Sequence, residues 1–152
     1  MTAAVTLATM GNGPAFSAYP NTAQNIANVT NTKVSFSAEV FDTNNCYDPT
    51  TNYRFTPTVA GYYQVSACLT LNAGSSGVNT CYIYKNGSAV LGGQVPFATG
   101  AYVTGCANGV VYLNGSTDYI EVYSWQSSGS TCAVLTGRPD LNSFNAAMIR
   151  GA

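Results

Sequence analysis

The chain reads as all-β, an antiparallel sandwich, on three observations. Its alternating runs are rich in Tyr, Thr and Val, residues that suit a pleated, half-buried surface. Gly, Asn and Ser punctuate those runs roughly every ten to twenty residues, at 11–14, 73–77, Asn86–Gly87, Gly92–Gly93, Asn114–Gly115 and 127–130, as turns require. No segment joins a helical period to helix caps; Asn145–Arg150 permits a helix but is short and stands at the chain end. About eight to ten short strands with such punctuation pack as two sheets.

Taken in order, the Ala/Thr-rich stretch Met1–Pro14 reads as an arm and residues 15–152 as one domain. Strands are expected at Ala15–Tyr19, Lys33–Val40 and Tyr62–Leu71, where apolar and polar side chains alternate. Between Cys81 and Leu91, the pair Asn86–Gly87 separates two short runs and predicts a tight hairpin. A further strand is expected at Ala101–Cys106. Asn114–Gly115 separates two longer runs in the same way and predicts a second hairpin. In its second strand Ile120 and Val122 point one way, and Tyr119, Glu121 and Tyr123 the other. Short strands at Ala133–Leu135 and Asn142–Ile149 complete the series.

A chain of 152 residues, 46% of them hydrophobic, is sized for one domain with a real core. Only 7% of its residues are charged, against about 25% in an average globular chain. The surface must then be uncharged polar, or hidden against copies of the chain. A net charge of -1 without a basic cluster gives nucleic acid and anionic membrane little to hold, and protects a monomer poorly from association. A stable oligomer is expected. No run reaches the ~18 apolar residues of a membrane span, and the start lacks the basic and apolar regions of a secretory signal.

With no histidine, neither a Ser-His-Asp nor a Cys-His device can be built. A carboxylate pair would have to come from Glu39, Asp42, Asp48, Asp118, Glu121 and Asp140. Glu39 and Asp42 lie around a strand end, and no catalytic residue is assigned. Cys46, Cys68, Cys81, Cys106 and Cys132 are odd in number and hold no C-x-x-C, which supports neither zinc nor a redox motif. Reduced, buried thiols are expected, and with them assembly in a reducing compartment.

The stretch Phe41–Val65, FDTNNCYDPTTNYRFTPTVAGYYQV, carries more than a strand pattern. Phe41–Asp42, Tyr47–Asp48, Thr51, Phe55, Pro57 and Gly61-x-Tyr63 stand at the spacing of a known signature. It is that of the complement component 1q/tumour necrosis factor superfamily, which the chain resembles. Tyr84–Val90 is similar to the family's Lys-Asn-Gly hairpin, and Asn114–Val122 to its Gly-Asp-x-Val-x-Leu strand. Phe144 stands where the family's last strand carries Ser-x-Phe, so the resemblance spans most of the chain. Two positions depart from it, Asn52 for the usual Gly and Val65 for the usual Phe; Asn tolerates a left-handed turn.

The resemblance implies a ten-stranded jelly roll that assembles as a homotrimer, burying aromatic and small residues between protomers. Within it Asp48 and Asp118 belong to the fold signature, Phe55 ends a strand in the core, Pro57 fixes the loop, and Gly61 allows a close turn. Tyr63, Val65 and Ala67 then face inward, and Tyr62, Gln64, Ser66 and Cys68 outward. Calcium occurs in some heads of the family, but no ligand set matches here. Asp48 and Asp140 read as turn residues, and no cofactor is assigned.

The two ends, Gly11–Tyr19 and Phe144–Ala152, are similar to those of jelly-roll domains in tailed-bacteriophage structural proteins. No collagen-like repeat is present. Of the sequons at Asn28, Asn86 and Asn114, the last two lie in Asn-Gly turns that explain them without a glycan. The resemblance implies a non-enzymatic trimeric virion protein, a tail- or neck-fibre tip or a capsid decoration knob, assembled in the bacterial cytoplasm. Met1–Pro14 would join it to other virion proteins, and its role would be particle stabilisation or adhesion to a host-surface glycan or protein. Tyr102, Tyr123, Trp125 and Gln126 are the candidate ligand-binding residues, since rings and amides suit sugar stacking and hydrogen bonding. The same aromatics equally suit a core or a trimer interface. The alternatives are a trimeric bacterial surface or spore-filament tip, and a secreted recognition ligand of the same superfamily, which predicts paired cysteines and charged patches.

Overall fold

Alternating burial along the strands builds the molecule. The computed structural model describes residues 12–72 and 75–152. Its strands are, in chain order, β1 (Ala15–Tyr19), β2 (Asn25–Ile26), β3 (Thr32–Lys33), β4 (Ala38–Asp42), β5 (Tyr47–Asp48) and β6 (Arg54–Phe55). Longer ones follow: β7 (Ala60–Asn72), β8 (Gly77–Lys85), β9 (Ser88–Phe97), β10 (Tyr102–Asn114) and β11 (Ile120–Gln126). The short β12 (Cys132–Val134) and then β13 (Ser143–Gly151) close the series.

These strands pair antiparallel in two sheets. In the first, β4, β1, β13, β7 and β10 lie side by side; β12, with β2 on it, extends the edge of β7 beyond the reach of β13. In the second, β5, β6, β11, β8 and β9 follow one another, and β3 joins the same edge of β11 as β6. Tyr63, Val65, Ala67, Leu69 and Leu71 of β7 point between the sheets and are fully buried. Each large side chain buried this way contributes about 1.5–3 kcal/mol.

Four of the signature residues, Tyr47, Phe55, Tyr63 and Phe144, meet in one aromatic cluster around Phe16. Phe16 stacks on Tyr47 and on Phe55, each at 4.6 Å between ring centroids, and Phe144 meets it edge-on at 4.8 Å. Tyr63 packs edge-on against Phe55. The buried tyrosine hydroxyls are satisfied, Tyr47 donating to the Phe36 carbonyl at 2.8 Å and Tyr63 to that of Val59 at 2.7 Å, as burial of a phenol requires. Pro57 is buried between β6 and β7. Gly61 is small because β13 crosses close by: a Cβ there would sit 2.5 Å from the Arg150 carbonyl oxygen.

Several expectations are corrected. Lys33–Val40 is not one strand: β3 pairs with β11 in the second sheet and β4 with β1 in the first. The chain crosses between sheets there, and Val34 and Phe36 drop into the core on the way. Asn114–Gly115 is not a hairpin, because β10 pairs with β7 and β11 with β8. Instead Asn114 Oδ1 accepts the amides of Ser116, Thr117 and Asp118, which turns the chain from one sheet to the other. The strand expected at Ala101–Cys106 runs on to Asn114, since β7 pairs with it along its whole length. In the loop after β5 the left-handed residue is Tyr53 (φ 48°), and Asn52 serves by donating to Asp48. Residues 1–11 of the expected arm lie outside the described residues; Pro14 already accepts a hydrogen bond from Met148 N.

The cysteines also divide. Cys46, Cys81 and Cys132 are free and buried, as expected, and burial pushes the Cys81 thiol up to about 12. Cys68 and Cys106 form a disulfide across β7 and β10. They stand directly opposite in register, where antiparallel side chains come within bonding reach.

Candidate functional site

Two sheet faces turn away from the core, and their chemistry differs. The open face of the first sheet is built from the outward positions of β7, β10, β13 and β1. It carries Tyr62, Val110, Tyr112 and Ile149, between 41% and 51% exposed. Tyr62 and Tyr112 lie side by side at 5.5 Å, and a shallow hollow opens between Tyr62, Val110, Ile149 and Arg150. A second hollow lies beside Phe41, Gln64, Ser66 and Ala147. The Cys68–Cys106 bond and a Thr70–Thr104 hydroxyl pair at 2.7 Å continue the face along β7 and β10. Among the described outward positions of these four strands, Arg150 is the one charge.

The outer face of the second sheet is aromatic and holds charge. Register sets three rows across it: Arg54, Glu121 and Tyr84; then Lys33, Tyr123, Tyr82 and Gly92; then Trp125, Thr80 and Gln94. Tyr84 and Tyr123 stack at 4.2 Å, and Tyr82 meets Tyr84 edge-on at 6.2 Å. Tyr82 lies against the bare backbone of Gly92, where a Cβ would approach its ring to 3.0 Å. Lys33 pairs with Glu121, which is almost fully buried beneath the rings. The guanidinium of Arg54 lies over the Tyr119 ring, 4.5 Å from its centroid. Burial and the nearby Glu121 carboxylate push the Tyr123 phenol up, so it stays protonated at neutral pH.

Of the residues singled out in the sequence, Tyr123 and Trp125 stand together on this second face. Tyr102 does not join them: it is 62% exposed at the start of β10, in the other sheet. Gln126 is corrected to an internal role. It is fully buried, its Nε2 donates to the Ile26 and Ser130 carbonyls, and its Oε1 accepts the Ser128 amide. Of the fold residues, Tyr47, Phe55, Tyr63 and Phe144 are core, whereas Phe41 is 48% exposed on the first sheet's side.

Five of the six carboxylates are engaged structurally, Asp42 by the Asn44 and Tyr47 amides and Glu121 by Lys33; Glu39 is exposed and takes no such partner among the described residues. Backbone amides of Thr51 and Thr50 hold Asp48 far below the usual carboxylate range. Lys85 and Asn86 hold Asp118 below its usual value, and Asp140 pairs with Arg138 at 2.6 Å. Among the described residues no three His, Cys, Asp or Glu side chains converge as a metal site would need. Arg54, Lys33, Tyr82 and Tyr84 were not singled out by sequence. The alternation of CYIY (Cys81–Tyr84) already marks two outward rings, but their partner strand follows only from the β8–β11 register.

No family model and no curated protein matches the chain in sequence. Solved structures do match it in fold. The globular domain of zebrafish complement 1qA superposes with a TM-score of 0.66 at 16% identity, covering 91% of this chain and 99% of that one. The Eiger TNF of S. frugiperda gives 0.65 at 10% identity over 92% and 95% of the two chains. Murine APRIL gives 0.65 at 13% identity over 90% and 99%. The fold is therefore the complement 1q/TNF-like jelly roll that the signature implied.

Proposed function

We propose that this chain is a non-enzymatic recognition head that works as a homotrimer, closed through the face of β10, β7, β13 and β1, which carries Arg150 as its one charge among the described residues. That face is the observation that carries the reading. It leaves Tyr62, Val110, Tyr112 and Ile149 together in water, whereas monomers rarely keep a large contiguous apolar patch uncovered. The trimeric habit implied by the complement 1q/TNF resemblance supports closure about a threefold axis rather than an open chain of copies. Within this reading the head belongs to a tailed-phage particle, as a fibre tip or capsid knob made in the bacterial cytoplasm. Its arm, Met1–Pro14, joins other virion proteins, and its outer surface contacts the host. The support is the similarity of its two ends to such proteins.

A second reading, a bacterial surface head or secreted ligand, has one observation in its favour. The Cys68–Cys106 bond suits oxidising surroundings. Light scattering after size exclusion, at micromolar concentration, tests the assembly common to both. Three copies of 15.8 kDa give about 47 kDa; a stable 15.8 kDa species would overturn it.

A further inference from the structure

The charges of the chain do not balance evenly over its surface. Of its five cations, Lys33 pairs with Glu121, Lys85 with Asp118 and Arg138 with Asp140. Arg54 and Arg150 keep no carboxylate within salt-bridge distance among the described residues. Arg150 lies on the face assigned to trimer closure. Arg54 lies beside the aromatic rows, opposite Glu121 in register, but Lys33 has taken that carboxylate. Its guanidinium is held on Tyr119, and among the described residues no acceptor takes a hydrogen bond from it. On the same sheet face, the hydroxyls of Tyr82, Tyr84 and Tyr119 and the indole N–H of Trp125 likewise have no protein partner among the described residues, and no buried polar side-chain atom there is left unpaired. These groups therefore face water.

We propose that this face binds a pyranose bearing a carboxylate, with Arg54 as the residue that selects the acid. The proposal rests on the reading of the chain as a recognition head and names its ligand class. A sugar offers an apolar C–H face, which stacks on rings such as Tyr82 and Tyr84, and hydroxyls, which meet the free phenols. A carboxylate matches the planar fork of a guanidinium bidentately, a geometry that an ammonium cannot reproduce. Because Arg54 is already held on Tyr119, it gives up little rotamer freedom when an acid binds. The charge complementarity excludes a neutral glycan as the preferred occupant.

Trp125 is the one tryptophan of the chain, so its fluorescence reports this face directly. The full chain is titrated with methyl glucuronide and with methyl glucoside, which differ in the carboxylate. The glucuronide is expected to bind about tenfold more tightly, the fold-change of one charge-assisted hydrogen bond. Arg54→Gln should remove that preference, bringing the glucuronide to the affinity of the glucoside. Arg54→Lys should keep only part of it, Tyr82→Ala should weaken both sugars, and Arg150→Gln should change neither. Equal affinities, a preference that survives Arg54→Gln, or no saturable response to either sugar would each overturn the proposal. Mass measured on the same samples separates it from the assembly reading: a monomer that still prefers the uronide sinks the trimer and supports the platform. A trimer without a saturable response does the reverse.

Discussion

Asp48 shows how much one carboxylate does in this fold. It accepts the backbone amides of Thr50, Thr51 and Asn52, each at 3.0 Å, and the Asn52 side-chain amide at 2.8 Å. Those donors favour the charged form, hence its depressed pKa, and they hold the loop that carries β6 and Phe55 into the core. Asp48→Ala should cost about 1–2 kcal/mol at neutral pH, the cost of losing a capping carboxylate. The sign with pH follows from linkage. The folded carboxyl titrates below the unfolded one, so its contribution is complete above about pH 4 and is lost as pH falls through the folded value. Denaturant unfolding of both proteins across the acid range checks this. The stability gap between them should narrow on acidification, and a gap constant from neutral to strongly acidic pH would show that the amides do not act through the charge.

At the scale of elements, β7 organises the first sheet, since β10 lies on one edge and β13 and β12 share the other. The Cys68–Cys106 bond ties β7 to β10 across a sequence separation of 38. In the chain-entropy account a loop of that length stabilises by about 4 kcal/mol. Cys68→Ser with Cys106→Ser should therefore lower the unfolding free energy by up to about that amount. Thiol titration of the denatured, unreduced chain should find the three free cysteines, and the reduced chain all five; five without reductant would remove the bond. The same strands show what the sequence discloses. β1 and β7 were legible because their alternation is local, and the Asn86–Gly87 hairpin because Asn86 and Gly87 both need positive φ. The corner at Asn114 was misread because its turn residues are those of a hairpin. Only long-range pairing, β10 on β7 and β11 on β8, decides that its flanks part. The aromatic rows and the Arg54 site depend on that register and so stayed hidden, except for Tyr123 and Trp125.

For the whole molecule, the two faces divide the work. On the reading proposed above, the nearly uncharged face joins copies and the aromatic face meets the ligand, so each trimer would present three equivalent platforms. A site that is weak alone then gains by multivalency, about a hundredfold or more where spacing allows simultaneous contact. Val110 is 51% exposed in the protomer, so Val110→Lys leaves the monomer fold nearly untouched, within about 0.5 kcal/mol for a surface change. In the assembly it would bury an ammonium in the hollow that already holds Arg150, an unpaired like charge that costs several kcal/mol. The variant's mass should fall toward 15.8 kDa. The melting temperature of the native chain should rise with protein concentration and that of the variant should not. The variant should also keep its Trp125 response to free methyl glucuronide but lose retention on a surface densely coated with the same sugar. If retention survives in a protein proved monomeric, binding strength resides in the single platform and owes nothing to assembly.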